Sequence, residues 1–271
     1  MQRLLRQVFA SVILITACHA VLAQAPKTVF LEELTWTELR DQIQAGKSTI
    51  IIPIGGTEQS GPDVALGKHN VRVKILSQRI AEGLGDALVA PVIAYVPEGG
   101  YAPPTSHMRF PGTITVSDDV FQKTLVAAAN SFKVHGFKNV VFLGDHGGYL
   151  NDVRQVVAQL NKSWNGSPVR AMMPPEYYDA SSDGYAKILR QRGFRDDEIG
   201  THAGLADTSL QLAVAPQMVR QERLRNAPKL GLADGVYGGD PRRSTAELGQ
   251  LGIDAIISRT VAALKKDTSA R

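Results

Sequence analysis

Cysteine is almost missing from these 271 residues: the one present is Cys18, and none follows it. Disulfides therefore cannot hold the body of the chain together, and an oxidising compartment costs it nothing. Charge of one sign is missing too. The formal net charge is +4, but Arg3 and Arg6 lie in a leader-like stretch; without those two, the 30 basic residues fall to 28 against 26 acidic ones, a balance of +2. Such a balance does not describe a nucleic-acid-binding surface. The apolar run Val8 to Ala17 is too short to span a bilayer as a permanent anchor. No internal repeat, low-complexity tract or convincing linker interrupts the chain. Three catalytic signatures are also absent: a Gly-x-Ser-x-Gly elbow, a GxGxxG fingerprint after a strand, and the Lys-Ser/Thr ending of a phosphate loop. With 44% apolar and 21% charged residues, the chain has a folding composition and length for one large domain or two small ones.

Residues 1–23 combine a basic start, the short apolar run and a small-residue exit at Val21-Leu22-Ala23. That is the pattern of a secretory signal peptide, so the mature chain is expected to begin near Gln24 as an exported, periplasmic or secreted protein. Ile15-Thr16-Ala17-Cys18 also resembles a lipoprotein cleavage box, and on that reading Cys18 carries a lipid and tethers the protein to a membrane. Residues 24–271 are expected to form one α/β domain.

Along the body, apolar stretches with strand character alternate with segments of helical spacing. A helix is expected within Phe30–Ala45, a strand over Ser48–Ile54, a helix from Val71 to Gly83, a strand around Ala87–Val96, a helix from Asp118 to His135, a strand over Asn139–Leu143, a helix from Leu150 to Asn161, a strand near Pro168–Met173 and a last helix from Ser244 to Leu264. The isoleucine-rich run STIIIPI fits a strand buried on both faces. The alternation predicts a three-layer α/β/α fold around a mostly parallel sheet, and in such sheets ligands bind beyond the carboxyl ends of the strands. GGTEQSG (55–61) and GDHGG (144–148) both follow predicted strands, and the loop EGGYAPPTSHMRFPG (98–112) follows a third. Glu58, His69, His107 and His146 can therefore meet at one sheet edge.

Of six histidines, His19 falls in the leader, and His135 ends a helix before Gly136, where a cation is a common structural choice. The other four sit in Gly- and Pro-rich strand-end contexts, where backbone is shaped around a site more often than around a core. Taken singly, Glu58 reads as a cap for the next turn and each histidine as a hydrogen-bonded structural residue. Taken together, Glu58, His69 and His146 form the two-imidazole, one-carboxylate set that holds a catalytic zinc with an open position. The same set also describes non-haem iron. Ser106 and His107 are candidates for a substrate wall.

The ordered motifs GGTEQSGP (55–62), TSHMRFPGTI (105–114), GDHGG (144–148), HAGLADTS (202–209) and GVYGGDPRRSTAELG (235–249) resemble those of the creatininase, or creatinine amidohydrolase, family over about Leu31 to Leu264. The resemblance implies a three-layer α/β/α fold, metal-dependent hydrolysis of C–N bonds in small cyclic amides or related molecules, and a homo-oligomer, hexamers being common in the family. Some members act on formamide-type intermediates or a keto-inositol, so the family does not fix the substrate.

Three positions depart from the family pattern. Ser60 stands where a histidine usually serves a second metal, His69 where an aspartate usually bridges two metals, and Asp207 where a glutamate is usual. A neutral imidazole has one free lone pair and cannot bridge. The resemblance with these departures implies one divalent ion, zinc ahead of manganese or iron, on Glu58, His69 and His146. Asp207 either completes that set or orients a ligand from behind it, and Asp145 reads either as an outer partner or as a turn residue. His202 matches the family histidine that handles protons, and is expected to donate to the leaving nitrogen after attack by metal-activated hydroxide. Ser106, His107 and Tyr149 are the expected substrate contacts. The partner so implied is a small molecule, with no nucleic acid and no membrane unless Cys18 is lipidated. Two other readings stay open: metal-assisted chemistry on a carbonyl sugar or inositol derivative, and a small-molecule-binding protein with a degenerate metal site.

Overall fold

The computed structural model describes residues 26–269. The expected leader over 1–23, with Cys18 and His19, lies outside them.

Helix α1 is Trp36–Gln44, and Thr35 starts it: its side chain accepts from the Glu38 N–H, while Glu38 accepts from the Thr35 N–H at 2.7 Å. This reciprocal box satisfies two donors that a helix start otherwise leaves open. It places the helix inside the expected span, after a short 3-10 turn at Leu31–Glu33.

Strand β1 (Thr49–Ile54) is buried along its whole length. It lies between β2 (Ala87–Val89) and β3 (Asn139–Gly144), and β4 (Arg170–Met172) flanks β3, giving the parallel order β2-β1-β3-β4. Alternation along the strands explains the unbroken apolar run. Ile51, Val141 and Leu143 face α2 (Lys68–Leu84) and α10 (Ala246–Ser269), whereas Ile50, Ile52, Ile54, Val140 and Phe142 face α3 (Asp118–His135) and α4 (Leu150–Ser163). Helices thus cover both faces of a parallel sheet, the three-layer α/β/α arrangement expected. Each isoleucine so buried contributes about 1.5–3 kcal/mol relative to exposure.

The chain between β4 and α10 carries more structure than its sequence pattern suggests: α5 (Pro175–Ser181), α6 (Asp183–Gln191), α7 (Asp196–Ile199), β5 (Gly200–His202), α8 (Leu205–Val214), α9 (Gln221–Asn226) and β6 (Tyr237–Gly239). Strand β6 forms within the motif GVYGGDPRRSTAELG and pairs antiparallel with β5, His202 opposite Tyr237. Helix α10 crosses α8 at Gly249, where a Cβ would sit 1.8 Å from the Ser209 carbonyl oxygen. Only glycine permits that approach.

Candidate metal centre

Three glycine-bounded segments deliver the site. After β1 the chain turns at Gly55, where a Cβ would lie 2.1 Å from Asn70 Oδ1, and that amide oxygen accepts from the Gly56 N–H at 2.9 Å. Glu58 follows, completely buried. After β3 come Asp145 and His146. Parallel pairing of β1 with β3 places both segments at one sheet edge. The 98–112 loop supplies Glu98 and, through left-handed backbone at Ser106 (φ 49°) and a 3-10 turn at Ser106–Arg109, His107.

Glu58 Oε2 has no hydrogen-bond partner; it lies 3.2 Å from His107 Nε2 and 3.6 Å from His146 Nε2. Glu98 is 3% exposed, both its oxygens lack a partner, and Oε2 is 3.6 Å from His146 Nδ1. Glu58, Glu98, His107 and His146 each offer one ligand atom, all within 4.8 Å of one another. Burial, followed by the charge of Glu58 alongside, pushes the Glu98 pKa up to about 9. Two carboxylates this close and this dry need a proton or a cation between them. Two carboxylate oxygens and two imidazoles fit a divalent ion of the zinc or manganese type.

His69 does not join that set. Helix α2 begins at Lys68, three residues before the expected Val71, so His69 sits in its first turn with Nε2 on Glu58 Oε1 at 2.8 Å and Nδ1 on Asp145 Oδ2 at 2.6 Å. Burial and Lys68 oppose a charge on this ring, but the hydrogen bonds to Asp145 and Glu58 outweigh them and raise its pKa. Both ring nitrogens are engaged, so the expected ligand becomes a hydrogen-bonded bridge between Glu58 and Asp145 beside the centre. Asp145 pairs with His69 and also takes hydrogen bonds from Arg72 Nε (2.9 Å) and the Tyr177 hydroxyl (2.9 Å).

Asp207 is not a fourth ligand either. Lys68 and the Ala203 N–H (3.0 Å) occupy Oδ2, and Arg72 Nη1 holds Oδ1 at 2.7 Å. Through Lys68, whose Nζ is 3.4 Å from Glu58 Oε1, it acts on the centre at one remove. Tyr149 does not face the mouth: the side chain is fully buried, its hydroxyl donating towards the carbonyls of Ile54 (2.7 Å) and Gly55 (2.8 Å) and accepting from the N–H groups of Asp145 and His146. It ties the ends of β1 and β3 together. Ser106 is exposed on the outer side of its turn, whereas His107, expected as a substrate contact, stands against Glu58. Ser60 is buried with its hydroxyl unpartnered.

His202 reaches the site from β5. Its Nε2 lies 3.0 Å from the Gln59 carbonyl oxygen and 3.1 Å from the Gln59 side-chain nitrogen, and its Nδ1 is 3.5 Å from Glu58 Oε1. Burial, then the Lys68 charge, lowers its pKa to about 3. Gln59 also lies 3.0 Å from His107 Nδ1 and fixes that ring. Lys68, His107, His146, His202 and Tyr178 line one cleft of about 410 Å³.

Lys68, Glu98 and Gln59 escape sequence reasoning. Glu98 carried a signal, since it precedes two glycines as His146 does. Lys68 carried none, because its partner Asp207 is 139 positions away.

The creatininase (creatinine amidohydrolase) family model matches residues 32–264. The chain belongs to the creatininase family. It is thereby an enzyme of the metal-dependent amidohydrolase type. Among creatininase relatives, the creatinine amidohydrolase of Pseudomonas putida is 28% identical over 229 residues, covering 81% of this chain and 85% of that protein. The mycofactocin precursor peptide peptidase of Mycolicibacterium smegmatis is 25% identical over 224 residues, covering 80% and 78%. A crystal structure of creatinine amidohydrolase superposes with a TM-score of 0.75 at 24% identity, over 89% of this chain and 98% of that one, and shows the shared fold.

Proposed function

We propose that this creatininase-family protein hydrolyses a C–N bond of a small polar amide, cyclic amides foremost, using one divalent ion held by Glu58, Glu98, His107 and His146. The observation that carries the reading is the pair of buried carboxylates with unpartnered oxygens, facing two imidazoles. When bound there, such an ion polarises a carbonyl and makes water acidic enough to attack near neutral pH. His202, neutral at rest beside Glu58, takes a proton from the attacking water and passes it to the departing nitrogen. The sequence pattern suggested only the second half of that exchange. Gln59 keeps His107 and His202 aligned, and His69 with Asp145 holds Glu58 in place. The cleft is of small-molecule size. C–N cleavage is also what the names of the Pseudomonas and Mycolicibacterium relatives have in common, one an amidohydrolase and the other a peptidase.

The test is to screen cyclic amides, lactams and cyclic ureides with zinc- and manganese-loaded protein. His202→Ala is expected to keep the ion and lose at least about 100-fold in turnover, the lower end for a positioned acid–base group. Equal turnover in His202→Ala would remove this residue from the chemistry. An ion-loaded protein that cleaves none of these classes would remove the amide reading.

A further inference from the structure

We propose that the Lys68 ammonium is a built-in second cation of this centre, occupying the space between Glu58 and Asp207 where a second divalent ion would otherwise bind. The inference rests on the reading that Glu58 is a ligand of the first ion. Lys68 is 1% exposed yet lines the cleft, and its Nζ pairs with Asp207 Oδ2 and lies 3.4 Å from Glu58 Oε1. It approaches the carboxylate oxygen opposite the one that faces His107 and His146.

The pairing pattern gives the same answer. Lys68, His69 and Arg72 each touch two of the three carboxylates Glu58, Asp145 and Asp207. Buried charges persist when paired in this way. What is left over, namely Glu58 Oε2, Glu98, His107 and His146, is one ion's worth of donors. Remove the ammonium, and Glu58 Oε1, Asp207 Oδ2 and His202 Nδ1, which is 3.5 Å from Glu58 Oε1, become a second set of two oxygens and a nitrogen. That set suits the same class of ion. The lysine therefore explains how the chain keeps a carboxylate-rich site with a single ion, and why Asp207 is oriented away from the first set.

The experiment compares the parent, Lys68→Met and Lys68→Arg. Each is titrated with zinc against a chromophoric chelator, zinc per chain is counted by plasma mass spectrometry, and folding is followed by circular dichroism. The expected result is one zinc in the parent and in Lys68→Arg, and a rise towards two in Lys68→Met. A folded Lys68→Met that binds one zinc with the parent's affinity overturns the proposal. Should Lys68→Met fail to fold, the parent saturated with manganese decides by electron paramagnetic resonance: an isolated-ion spectrum supports it, and a spin-coupled pair overturns it. A parent that binds no ion refutes the metal-centre reading itself, which is a different failure from an unchanged Lys68→Met.

Discussion

In the proposed centre, Glu98 is the residue on which ion binding turns. Its oxygens are buried without a partner beside the Glu58 carboxylate, so Glu98→Gln removes one oxygen of the proposed ligand set. The variant is expected to weaken zinc binding beyond the roughly 10–100-fold that changes behind a ligand produce, measured by chelator competition. Asp207 answers a different question. Asp207→Asn leaves Lys68 and Arg72 buried and short of a partner, and is expected to destabilise the fold by about 3–5 kcal/mol in urea unfolding at pH 7. Burial works against its charge, but Lys68 and then Arg72 hold its pKa well below the carboxylate range. That stabilisation is present above the unfolded value of about 3.9 and is lost as pH falls through the folded one. Stability of the variant should therefore depend less on pH below about 4 than that of the parent. Glu58 and His146 are legible in the sequence because each neighbours two glycines at the end of an apolar strand. His69 is misread because spacing shows that a histidine arrives, but not that Asp145 and Glu58 have already taken its two nitrogens.

Among the elements, α2 does the most to shape the site. It starts without a side-chain cap and places Lys68, His69 and Arg72 in and just past its first turn. Cations there oppose the helix dipole, and the carboxylates of Glu58, Asp145 and Asp207 offset that. The early start is invisible to hydrophobic periodicity, because the added residues are polar and are buried against partners from α8 and from the segments that follow β1 and β3. The strands are more legible: the isoleucine run of β1 announces two covered faces, and it has them. The β1 and β3 ends are joined by Tyr149. Tyr149→Phe leaves the Asp145 and His146 N–H groups without their buried acceptor, and is expected to cost about 1–3 kcal/mol in thermal or denaturant unfolding. Unchanged stability would show that the strand ends do not depend on that hydroxyl.

At the scale of the whole molecule, the order β2-β1-β3-β4 sets the two richest strand ends side by side, and the β5–β6 ribbon brings His202 across from 143 residues away. The three-layer arrangement follows from local alternation and was legible in full. The ribbon was not, since its short, glycine-rich strands have no apolar period and gain their meaning only by pairing with each other. Among the described residues no helix is long and apolar enough to cross a membrane. The proposed centre holds one divalent ion on Glu58, Glu98, His107 and His146, with His69 outside. Anomalous diffraction from crystals grown with zinc tests it most directly. One peak within bonding distance of those four side chains is the result predicted, and a peak bonded to His69, or two peaks in the parent protein, would contradict it.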